Sequence, residues 1–182
     1  MRRLWAAILS AAGAAFCLTA QPIYGTGGQL TLPRDYREWV FLSSGLGMTY
    51  QPTPGRDTPA FTNVFVNPSA YHSFLATGQW PDKTMLILEV RSSASKGSIN
   101  QGGSYQTDLL AIEAEVKDTA KFPGNGWAFF AFGASETGKL LPRTQDCYAC
   151  HAEHGAVDNT FVQFYPALLD IAKQKGTLKA AR

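Results

Sequence analysis

The sequence predicts an α+β domain, a set of hairpin-linked strands followed by a terminal helix, and three observations carry that expectation. Residues 84–90 form an almost continuous apolar run interrupted by Glu89, the pattern of a buried strand. Residues 109–117 alternate, with Leu110, Ile112, Ala114 and Val116 set against Glu113, Glu115 and Lys117, which is the two-residue period of a strand. Near the C-terminus, Phe161, Phe164, Tyr165, Leu168, Leu169 and Ile171 recur at helical spacing.

The other elements follow in order. Residues 32–42 open with Pro33 and carry Tyr36, Trp39, Val40 and Phe41, a spacing that predicts a short amphipathic helix. A loop is expected over 51–59. Residues 61–66 are rich in β-branched and aromatic side chains and read as a strand. Asn67 and Pro68 look like the cap and first residue of a helix that runs to about Ala76 and stops at Gly78. The Ser/Gly-rich stretch 92–104 reads as a long flexible connection, and residues 123–126 punctuate the chain before a further aromatic strand at 127–132. There is no internal repeat.

With 182 residues the chain has room for one ordinary domain, placed at 26–178, plus an export signal. A net charge of +2, with Lys and Arg scattered, gives no nucleic-acid surface and no basic membrane patch. Residues 1–20 read as a secretory signal peptide: Arg2 and Arg3 provide a positive start, and an apolar run follows from Leu4 to Leu18. That run is shorter than the roughly 20 apolar residues of a spanning helix, so export to the periplasm is expected rather than a membrane anchor. A lipoprotein starting at Cys17 would need a small residue where Phe16 stands, so Cys17 is expected to leave with the signal. The mature chain then holds only Cys147 and Cys150, in a compartment where disulfides persist.

Cys147-Tyr148-Ala149-Cys150-His151 is the c-type haem attachment pattern. Two thiols on one helical turn can each add across a haem vinyl group, and the adjacent histidine then sits beneath the iron. One haem c is therefore expected, bound through Cys147 and Cys150 with His151 as the metal ligand. A thioredoxin-like pair belongs near the start of a βαβ unit, whereas this pair follows a run of strands. A zinc site that adds His154 lacks the second cysteine pair usual for such sites.

The sixth position of the iron separates an electron carrier from a protein that binds small molecules. Met48, in the Gly-rich segment Gly45-Leu46-Gly47-Met48, is the candidate for a sixth ligand. Met85 reads as core, His72 as exposed, and His154 lies too near His151 to reach the other side of the haem. An open distal side is the expectation.

The sequence resembles the cytochrome P-460 family and its relatives the cytochromes c′-beta over roughly residues 32–173. The resemblance rests on Leu32-Pro33-Arg34-Asp35-Tyr36-Arg37-Glu38-Trp39-Val40, on the Asn67-Pro68 helix start and on Ile112-Glu113-Ala114-Glu115-Val116-Lys117-Asp118. It continues through Gly126-Trp127-Ala128-Phe129-Phe130 to the haem motif followed by Asp158 and Phe161-Val162-Gln163-Phe164-Tyr165-Pro166. It implies a mostly antiparallel β-sheet with flanking helices, a C-terminal haem-attachment helix, a five-coordinate haem on His151 and a homodimer. Cytochromes P-460 proper oxidise hydroxylamine or transform nitrogen oxides with a haem cross-linked to a lysine. That lysine aligns with Leu88, which cannot form the bond, and Lys83 is offset by five residues onto the opposite strand face.

The departure moves the chain toward the cytochrome c′-beta type, in which an ordinary c-haem under a phenylalanine cap binds nitric oxide or carbon monoxide. Phe61 is the candidate cap and Phe65 its alternative; both also read as sheet core. Glu113 aligns with an acidic distal residue of some cytochromes P-460, where it would accept a proton, and also fits a solvent-facing strand position. The expected function is binding of nitric oxide or a related small nitrogen species. The alternatives are a hydroxylamine-oxidising haem oxidoreductase, which would hand electrons to a redox partner protein, and a six-coordinate electron carrier.

Overall fold

The computed structural model describes residues 20–49, 58–133 and 135–179. The expected signal peptide, residues 1–20 including Cys17, falls outside that description apart from Ala20, and so does most of the expected loop at 51–59.

Among the described residues, seven strands make one sheet: β1 (Leu30–Thr31), β2 (Val40–Leu46), β3 (Phe61–Val66), β4 (Met85–Ala94), β5 (Tyr105–Lys117), β6 (Trp127–Ala131) and β7 (Thr137–Leu140). Their spatial order is β1-β7-β6-β5-β4-β3-β2, and every neighbouring pair is antiparallel. The apolar run of β4 is explained by burial on both faces. Leu86 joins Val66 and Trp127 in a core beneath the helices. Met85 and Ile87 join Ile112, Ala114, Val116 and Phe130 in a second core, closed by Leu30, Tyr36 and Trp39 from the N-terminal segment.

Among the same residues, three α-helices accompany the sheet: α1 (Pro68–Thr77), α2 (Asp146–His154) and α3 (Pro166–Lys175). α1 begins at a proline, whose missing N–H costs nothing at that position. The Asn67 carbonyl accepts the first helical N–H groups, but its side chain does not cap the helix. The side-chain oxygen instead accepts the Met85 N–H at 2.8 Å, stitching the helix start to the start of β4. Gly78 ends α1 with φ 72°, and a side chain there would meet the Lys175 Cβ at 2.6 Å, so the turn needs glycine twice over.

Three expectations are corrected. Residues 32–42 do not form an α-helix: a single 3₁₀ turn at Tyr36–Glu38 leads into β2. Trp39 enters one core, Val40 and Leu42 pack on the other, and Phe41 meets Phe65 edge-on, so spacings that mimic a helix belong to a turn and a strand. The connection after residue 92 is shorter than expected, because β4 and β5 continue pairing through Ser93↔Gln106 and Ala94↔Tyr105. The terminal helix starts only at Pro166; residues 162–164 before it form a 3₁₀ turn.

Candidate haem site

Helix α2 carries Cys147, Cys150 and His151. The cysteines lie three apart, on one face of the helix, and both thiols are free and half-buried. Burial raises both thiols above their ordinary value, with added repulsion from Glu113 at Cys147 and from Glu153 at Cys150. Tyr148 fastens this helix to the sheet: its hydroxyl donates to the Leu141 carbonyl at 3.2 Å and accepts the Phe129 N–H at 3.3 Å.

The His151 ring is held between Phe129 and Phe161, with centroids 4.6 and 4.3 Å away. Nδ1 lies 2.9 Å from the Asn159 carbonyl oxygen. A carbonyl can only accept, so Nδ1 carries the proton and Nε2 keeps its lone pair for a metal. The carbonyl is delivered by a tight turn at residues 157–160, where Thr160 N–H donates to the Val157 carbonyl at 2.8 Å. Asp158 and Asn159 both have positive φ, 46° and 64°, as a type I′ turn requires. Asp158 is paired with Lys117, whose ammonium also donates to the Trp80 carbonyl at 2.8 Å. Thr160 accepts the Trp80 indole N–H at 2.7 Å.

Glu115 lies beneath the same histidine. Its Oε1 is 3.3 Å from His151 Nδ1, yet it is buried without a hydrogen bond, because the Nδ1–H is directed at Asn159. Burial pushes the Glu115 carboxyl up, opposed by His151. For His151 itself, burial lowers the pKa, but Glu115 and the Asn159 carbonyl outweigh it and the net shift is upward.

Beside α2 the sheet offers an apolar ledge. Register runs Val64↔Leu88↔Glu113↔Ala131 across four strands, and alternation puts this row on the same face as Leu86 and Glu115. Val64, Leu88, Val90, Ala111 and Ala131 are only half-buried, unlike Val66, Leu86 and Trp127 farther along the face. Glu113 keeps solvent contact while partial desolvation raises its carboxyl above the usual range, opposed by the nearby His151. A cavity of about 590 Å³ is lined by Met48, Thr49, His154, Phe164 and by Phe161, which packs on His151. Two free thiols one turn apart, a histidine with only Nε2 available and an uncovered apolar ledge fit a haem.

A family model described as cytochrome P460 matches residues 33–162, from the segment before β2 to just past the turn that touches His151. The chain belongs to the cytochrome P460 family. It is therefore a haem protein of that family. A search of curated proteins finds no match.

Within this cytochrome P460 fold, Cys147, Cys150, His151 and Glu113 come together, and Leu88 stands directly opposite Glu113. Phe61 and Phe65 do not join them. Phe65 packs with Tyr36 and Phe41 in the core on the other side of the sheet, and Phe61, four residues earlier in the same regular strand, shares that side. Aromatic content marked them as candidates but could not tell the two sheet faces apart. Met85 is fully buried core and His72 is exposed on α1. Lys83 is bound to Asp118 at 2.5 Å, away from Leu88. Sequence reasoning missed Glu115, Lys117 and Asn159 as contacts of the site. For the turn, the adjacent Asp158 and Asn159, residues that tolerate positive φ, were the available signal.

Proposed function

We propose that this cytochrome P460 family member is an exported, periplasmic protein with one haem c, attached through Cys147 and Cys150 and ligated by His151, that binds nitric oxide or a related small nitrogen species. When bound, the haem supplies an iron with one coordination position for a small ligand. The observation that carries the reading is Leu88. It puts a hydrocarbon side chain on the ledge opposite Glu113, where the resemblance to the cytochromes P-460 would place their cross-linking lysine. Lys83 is tied to Asp82 and Asp118, and Lys117 to Asp158. The chain's own residues then hold the haem by two thiols, fix the ligand imidazole between two phenylalanines and line its apolar face.

Intact mass spectrometry of the mature protein tests this reading. The expected mass is the chain without its signal plus one unmodified haem, retained through acid-acetone extraction, and hydroxylamine oxidation should be negligible. A lysine-haem cross-linked peptide from any position would restore the enzymatic reading, with Glu113 as its distal proton acceptor and a redox partner protein taking the electrons. A homodimer is the assembly proposed with this function.

A second reading, an electron-transfer cytochrome, would need Met48 as the sixth ligand, but Met48 lines a cavity with His154 and with Phe161, which packs on His151, the side of the proximal histidine rather than the opposite one. A low-spin ferrous spectrum lost in Met48→Ala would select it.

A further inference from the structure

We infer that Lys117 and Asp158 form a positioning device for the haem ligand: they hold the 157–160 turn so that the His151 Nδ1–H stays on the neutral carbonyl of Asn159 and off the buried carboxyl of Glu115. The inference rests on His151 being the axial ligand.

Two acceptors compete for one proton. Asn159 O stands at 2.9 Å from Nδ1 and Glu115 Oε1 at 3.3 Å, and the carboxyl oxygen, although buried, has no hydrogen bond. An unsatisfied buried carboxyl oxygen is costly, so a small displacement of the turn lets the N–H satisfy it. What resists that displacement is visible. Asp158 and Asn159 adopt left-handed backbone, which disfavours most side chains and is retained only when surroundings enforce it. Lys117 supplies the enforcement from β5, bridging Asp158 and the Trp80 carbonyl, while Trp80 holds Thr160 at the turn's other end. Gly155 lets the turn approach α2: a Cβ there would stand 2.6 Å from both the Asn159 carbonyl carbon and the His151 oxygen.

The consequence is chemical. The partner of the second imidazole nitrogen sets ligand basicity, and a carboxylate draws the proton more strongly than a peptide carbonyl. Holding the proton on Asn159 keeps His151 an ordinary imidazole donor, one of the levers by which a protein sets haem reactivity.

The test uses the full-length holoprotein with Lys117→Met, Asp158→Asn and Glu115→Gln, singly and with Glu115→Gln combined with each of the others. Denaturing mass is measured first: loss of covalent haem in the unmutated protein would sink the attachment reading itself, independently of this inference. The ferrous iron-histidine stretching frequency is then measured by resonance Raman spectroscopy, together with the midpoint potential. Lys117→Met and Asp158→Asn should raise the frequency and lower the potential. Adding Glu115→Gln to either should return both to the values of Glu115→Gln alone, which is the reference for this comparison. Loss of thermal stability without these shifts, or shifts that persist in the Glu115→Gln background, would overturn the inference. If Lys117→Met fails to fold, Asp158→Asn, which retains a residue suited to positive φ, carries the same comparison.

Discussion

At Gly155 the chain needs the absence of a side chain for reasons of space alone, since a Cβ would strike Asn159 and the His151 carbonyl at 2.6 Å. Gly155→Ala should cost about 1–3 kcal/mol of stability, the usual penalty for overpacking, measured by urea unfolding of the holoprotein. Glu89 offers a different residue-scale test, on the face of the sheet opposite the haem ledge. It is buried and bonded by Tyr36, Arg37 and Arg91. Burial pushes its carboxyl up, but Arg91, Tyr36 and the charge of Arg37 outweigh that and hold it below the usual carboxylate range. Because the folded-state value is depressed, the stabilisation is complete above the unfolded value of about 4.3 and disappears as pH falls through the folded value. The urea midpoint should fall from about pH 6 to about pH 3, and Glu89→Gln should flatten that dependence. An unchanged acid limb in the variant would remove Glu89 from the account.

Elements divide into those that announce themselves locally and those that do not. Strands β3, β5 and β6 and helix α1 were legible because alternation, β-branched content and the Asn67-Pro68 start are properties of a few consecutive residues. β2 was misread because Tyr36, Trp39 and Val40 have helical spacing while serving two opposite cores. β1 and β7 are too short, at 2 and 4 residues, to carry a period. Sequence alternation set Leu88 and Lys83 on different faces, but Lys83, with φ 65°, lies before β4 begins at Met85, and alternation could not tell which face meets α2. That ambiguity admitted Phe61 to the candidate site. The helix layer makes its own prediction: Phe74 is fully buried and its ring lies 4.3 Å from Trp80, so Phe74→Ala should cost about 3–5 kcal/mol in unfolding measurements. A cost below about 1 kcal/mol would show that α1 is not fixed by this contact.

In the whole molecule, one sheet with a core on each face acts as the frame, and the two ends of the site come from distant parts of the chain. The spacing of Cys147, Cys150 and His151 was legible as a pattern because it involves only near neighbours in sequence, on one helix. Glu115, Lys117 and Asn159 were not, since their meaning arises only where β5 meets the segment after α2. The whole-molecule claim is that this frame holds an unmodified haem with one coordination position free for a small nitrogen species. The ferrous absorption spectrum of the native protein, recorded with and without nitric oxide, tests it most directly. The expected result is a five-coordinate, high-spin c-type spectrum that changes at once on nitric oxide addition and is the same in Met48→Ala. A six-coordinate, low-spin ferrous spectrum that resists nitric oxide until Met48 is replaced would contradict it.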